Sequence, residues 1–217
     1  YSENLIEISE SDPIYIIEMP KYGNISSSNT VGVSSEIFNN FDKGLRSRFM
    51  IAHELVHPYV QLPVAESNPF SAFVIEGFPS FFQVYALSKT LKKSEYDKDD
   101  HLSRVEKSYL KKKESGLSRR GRKLPEEKPI LDIGYDEIGS YKDSFILNDR
   151  VWLFFNDIWN RLGDVKFDCF LQELFKLQSI DYEKFELLIL DYLPEYKIKL
   201  NIWLNTTDYP DDLRIKK

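Results

Sequence analysis

The stretch MIAHELVHPYV, residues Met50 to Val60, decides how the rest of the chain is read. Positions four apart on an α-helix share a face, so His53 and His57 direct their rings to one point. Glu54, one step round the helix, reaches a metal-bound water without being a ligand itself. Two imidazoles do not complete a catalytic zinc site, which takes three protein ligands and keeps a fourth position open. The missing ligand is then a carboxylate or histidine from a neighbouring element. Glu76, in VIEGF, follows His57 with eighteen residues between them. A chance His-Glu-x-x-His in a chain of this size is expected below about one time in ten. Only three histidines are present, and two of them stand in this pattern.

The same stretch sets local structure. Leu45, Phe49, Ala52 and Val56 recur at helical spacing, predicting a helix from about Leu45 to His57, closed by Pro58. Upstream, NLIEIS and PIYIIEMP are β-branched runs, and KYGNISSSNTVGVS is a turn-rich segment with a further strand at Val31 to Val33. Downstream, residues 75–93 predict a second helix starting near Glu76, with Pro79 in its first turn, where a missing donor costs little.

Residues 92–129, with KKKESGLSRRGRK, predict a charged, solvated and partly mobile insertion, in which His101 is exposed. From Asn148 the helical period returns. NDRVWLFFNDIWNRLG stops at Gly163, with Trp152, Phe154, Phe155 and Trp159 as core. DVKFDCFLQELFKL begins at a capping Asp164, with Cys169 as a buried thiol. DYEKFELLILDYL ends before Pro194, and a short helix holds Leu200 and Trp203. Strands first and helices after make an α+β class, divided as 1–43 β-rich, 44–93 zinc-site helices, 94–130 charged insertion and 131–217 helical.

With these residues in view, the sequence resembles the gluzincin metallopeptidases, and among them the aminopeptidase-N-like family. That family's zinc signature is His-Glu-x-x-His, eighteen residues, then Glu followed by Gly and an aromatic, as HELVH to EGF reads here. IYIIEMPKYG is similar to its substrate-edge strand, NRLGDVKF to a later helix junction, and WLNTTDYPDDLRI to the close of its catalytic domain. The resemblance implies a thermolysin-like catalytic domain with Zn²⁺ on His53, His57 and Glu76, Glu54 as general base, and a peptide or protein substrate. It also implies further domains in a longer protein.

Two departures stand out. Where the family places a glutamate that binds the substrate's free amine, alignment from Pro20 puts Ser28, beside Asn29; a hydroxyl does not pair with an ammonium as a carboxylate does. The family's oxyanion-binding tyrosine falls on Tyr141 by spacing from Glu76, with Tyr135 second, whereas counting back from Leu162-Gly163-Asp164 without a gap reaches Asn148. The rival expectation is a catalytically degenerate zinc-binding domain acting as a binding or structural module.

Composition excludes other classes. The net charge of −6 gives no global basic field for nucleic acid. The 42% hydrophobic content is that of a folded chain, and no apolar run has the roughly 18–20 residues of a membrane span. Tyr1 in place of a methionine leads us to expect an excised domain or processed product.

Overall fold

The computed structural model describes residues 15–19, 25–27, 30–40, 44–57, 70–118, 121–138, 146–177 and 180–213. It is mostly helical with a small N-terminal sheet, an α+β layout. The strands are β1 (Tyr15–Met19), β2 (Ile25–Ser27) and β3 (Thr30–Ser34), in the order β1-β3-β2. The central β3 runs parallel to β1, with Ile17 opposite Gly32, and antiparallel to β2, with Ser26 opposite Val31. Its Val31 and Val33 are fully buried and form a small cluster with Ile51. Tyr15, Ile16 and Ile17 of the edge strand β1 are exposed. NLIEIS lies outside the described residues.

After the short α1 (Ser35–Phe38) comes α2 (Leu45–Val56), close to the helix predicted from its spacing. The next helix differs from expectation. Helical backbone begins at Ser71, five residues before Glu76, and passes through a π-turn, Phe73–Gly77, into α3 (Phe78–Thr90). Phe78 N–H bonds the carbonyl of Phe73, five residues back. Pro79 lacks an amide proton and its ring crowds the carbonyl four residues back, so a regular α-turn is disfavoured there. The wider turn, with Glu76 inside it, is the local adjustment.

The charged segment also corrects the reading. Lys98–Ser115 form α4, capped by Asp97, whose side chain accepts from the amides of Asp99 and Asp100, and closed by Gly116 at φ 64°. Leu102, Val105 and Tyr109 face inward at helical spacing. Lys112 pairs with Asp149 and Lys113 with Glu127, so part of the expected insertion is bonded into the body.

Then come α5 (Val151–Lys176), α6 (Tyr182–Tyr192) and α7 (Lys197–Asn205). Gly163 interrupts α5 at φ 72°, ψ 167°, where the sequence placed a helix end. Asp164 takes the indole N–H of Trp159 at 2.7 Å, and Asp181 caps α6 through Lys184 N. The second half of α5 buries Phe167, Phe170, Leu171 and Leu174, while Cys169 is exposed, contrary to expectation.

α3, α5, α6 and α7 enclose the main core, which is dominated by phenylalanine. Phe81 stacks on Phe155 at 4.5 Å between ring centres, and Phe73, Phe78, Phe154 and Phe185 crowd round them. Each fully buried ring contributes roughly 1.5–3 kcal/mol. One buried charge ties the end of the chain to this core. Arg150, 0% exposed, donates to the carbonyls of Ile202, Trp203, Thr206, Thr207 and Asp208, to the Tyr109 hydroxyl and to Glu127. Among the described residues no helix is long and apolar enough to cross a membrane.

Candidate metal centre

α2 and the π-turn before α3 bring together the three residues singled out in the sequence. His53 and His57 occupy successive turns of one α2 face, with their Nε2 atoms 3.2 Å apart. Glu76 enters from the neighbouring element, its Oε2 3.5 Å from His53 Nε2. One ligand atom from each of the three lies within 4.8 Å of the others. Zinc bonds of about 2.0–2.2 Å at tetrahedral angles separate neighbouring ligand atoms by about 3.3–3.5 Å. Two edges of the triangle, 3.2 and 3.5 Å, are close to that length, so the donor set fits the ion.

The electrostatics agree with the geometry. Burial pushes the His57 imidazole down to about pKa 4, assisted by the neighbouring His53 and opposed by the Glu76 carboxylate. His57 is therefore neutral near pH 7, the form a metal requires. His53 and Glu76 side chains are 14% and 21% exposed, so neither is sealed from solvent. Glu54 is buried on the same helix between the two histidines.

Tyr141, Ser28 and Asn29 lie outside the described residues. Tyr135 sits in a surface 3-10 turn, Tyr135–Glu137, and is 43% exposed. His101, expected at the surface, is instead packed among rings. It stacks on Phe49 at 5.2 Å and lies 5.4 Å from Trp152, and its Nε2 is buried without a hydrogen-bond partner.

That aromatic group was not assembled by sequence reasoning, though one signal was available. Phe49 precedes His53 by one turn, so its contacts lie one layer below the histidines. Trp152 stacks on Phe49 at 6.2 Å and donates its indole N–H to Ser80 Oγ at 2.5 Å; Ser80 in turn donates to Asn148 Oδ1 at 2.7 Å.

Neither family models nor curated protein sequences match the chain. Solved structures do. The M1 zinc metallopeptidase of Deinococcus radiodurans matches over 91% of this chain and 40% of its own, at 15% identity and TM-score 0.64. A glutamate-to-alanine mutant of that protein, bound to a Tyr-Ser-Ala substrate, matches with TM-score 0.62 at the same identity. The chain spans two fifths of the length of these neighbours. At this identity the likeness establishes shared fold: about nine tenths of the chain follows one part of an M1 zinc metallopeptidase.

Proposed function

We propose that this chain is a zinc-dependent peptidase domain of the gluzincin, aminopeptidase-N-like kind, with His53, His57 and Glu76 as the metal ligands. The observation that carries the reading is the triangle itself: three ligand atoms within 4.8 Å of one another, two of its edges near tetrahedral-edge length, two of its corners from His-Glu-x-x-His, in a fold shared with M1 zinc metallopeptidases. Zn²⁺ bound there supplies a Lewis acid for the scissile carbonyl and lowers the pKa of water towards about 7.

The remaining chemistry belongs to the chain. Glu54 takes a proton from the attacking water as its oxygen bonds to the carbonyl carbon. The same proton passes to the leaving nitrogen as the C–N bond breaks, giving a carboxylic acid and an amine. The edge strand β2, continuing towards Ser28 and Asn29, aligns an extended peptide by backbone hydrogen bonds. Ser28 in place of a carboxylate offers no counter-charge to a free amine, and Tyr141 is a donor to the developing oxyanion.

The test is Glu54→Gln in zinc-loaded protein with a mixed-peptide assay read by mass spectrometry. Cleavage falls by at least about a hundredfold while zinc stays near one per chain, since the carboxamide lacks the basic oxygen and the side chain at this position is not a ligand. Unchanged cleavage would overturn the assignment, and bound zinc with no cleavage in the parent chain would favour a degenerate binding module.

A further inference from the structure

With Glu76 as a metal ligand, as read above, we propose that Gly77 is a positioning residue for the metal centre. Its missing side chain lets the turn that carries Glu76 seat against Val151, and that seating sets where the Glu76 carboxylate stands.

Gly77 ends the π-turn Phe73–Gly77, and α3 begins at the next residue. A second π-turn, Ile146–Arg150, ends where Val151 opens α5. The two chain segments meet at Gly77 with little room to spare. A methyl group on Gly77 would stand 3.2 Å from Val151 Cγ2, 3.5 Å from Val151 Cγ1 and 3.5 Å from Phe73 Cδ2. Carbon atoms pack best at about 3.5–4.0 Å, so the first of these contacts is repulsive. The backbone does not ask for glycine here: φ is −65° and ψ is −44°, values that suit any residue. Glycine also weakens a helix, so what the position requires is the absent side chain.

Added volume at Gly77 has one direction in which to be relieved. Val151 is fully buried, and a β-branched side chain is stiff at χ1, so it does not swing aside. Phe73 and Phe78 are fully buried with their ring centres 5.4 Å apart, and the bond from Phe78 N–H to the Phe73 carbonyl ties them together. Val74 is buried too, its N–H on the Phe70 carbonyl at 3.1 Å. Of the five residues in the turn only Ile75 and Glu76 are partly exposed, so the displacement is taken up there. Glu76 Oε2 stands 3.5 Å from His53 Nε2, and metal–ligand bonds tolerate only about 0.2 Å. The room that a methyl group lacks, about 0.3 Å, exceeds that tolerance.

The experiment measures zinc affinity, by competition with a chromogenic chelator, in the parent chain, Gly77→Ala, Val151→Ala and the double variant. Urea midpoints of the metal-free chains and kcat/KM on a cleaved peptide accompany it. We expect Gly77→Ala to weaken zinc binding about ten- to a hundredfold, the range for changes in groups that orient a ligand. Val151→Ala alone should stay within about threefold of the parent, and the double variant should return to that level, because removing both valine methyls clears the space. A purely structural role predicts a lower urea midpoint in Gly77→Ala with parental zinc affinity. That result would overturn the proposal, as would a double variant that binds zinc no tighter than Gly77→Ala. Should Gly77→Ala not fold, Val151→Ile, which adds one carbon beside the same glycine, takes its place: weaker zinc binding supports the proposal and parental affinity overturns it. A parent chain that binds no zinc refutes the metal reading itself and this inference with it. Zinc bound without cleavage refutes only the peptidase activity, and the affinities still decide Gly77.

Discussion

Replacing Arg150 with methionine tests whether the end of the chain is held by one buried cation. Methionine fills much of the same volume, so the packing loss is small and the cost is polar. Removing one partner of a buried ion pair costs about 3–5 kcal/mol, and Glu127, which keeps Lys113 and Tyr109, sits at the low end of that range. Of the five carbonyls, Ile202 keeps the Thr206 hydroxyl and Thr207 keeps Lys113, while Asp208 borders water. The carbonyls of Trp203 and Thr206 lose their donor, at about 1 kcal/mol each. The sum is about 5 kcal/mol, comparable to the whole stability of many domains. Urea denaturation followed by tryptophan fluorescence measures it, because Trp203 lies in the affected region. A loss under about 1.5 kcal/mol would refute the reasoning, since it would mean that water or neighbouring groups replace the guanidinium freely.

Two further perturbations test the fold. Gly163 at φ 72°, ψ 167° occupies backbone space nearly reserved for glycine, so Gly163→Ala should lower the urea-derived stability by about 1–3 kcal/mol, although no atom lies near the added methyl. Burial lowers the His101 pKa from 6.5 to about 4, with Arg104 adding to the shift and Asp100 opposing it. The unfolded chain therefore takes up a proton that the folded chain refuses, and stability present above pH 6.5 is lost as pH falls towards 4. Between pH 7 and pH 5 the parent should lose about 1 kcal/mol more than His101→Gln, after allowance for partial solvent screening, and parallel pH profiles would refute it.

The helical half of the fold was legible because its periodicity is strong. The run Phe167, Phe170, Leu171 and Leu174 writes one apolar stripe, and Gly163, Asp181 and Pro194 punctuate it. That stripe, followed strictly, also leaves Cys169 outside it; the apolar neighbourhood of the residue outweighed its angle on the helix. In α4 the charges outnumber the apolar residues, so Leu102, Val105 and Tyr109 were hidden by composition although their spacing is helical. His101 was judged by the same charges, and its ring partners come from α2 and α5, which local sequence does not announce. The π-turn at Glu76 follows from Pro79 acting on a helix that starts earlier than its cap signals suggest. For the site, spacing alone picked out His53, His57 and Glu76, which the fold draws into one triangle.

The metal triangle also has a mechanical meaning. Val31, Val33 and Ile51 form a cluster of their own, apart from the phenylalanine core that Phe73 and Phe78 belong to. α2 touches both, with Ile51 on the sheet side and Val56 against the main core, so an ion shared by His57 and Glu76 would add a second tie between this helix and the turn that carries Glu76. It would close an eighteen-residue loop, for which chain entropy in the disulfide analogy amounts to roughly 3 kcal/mol. The ion would then hold α2, and the sheet packed on its Ile51 side, against the turn that carries Glu76, making the relative placement of these elements a property of the loaded protein.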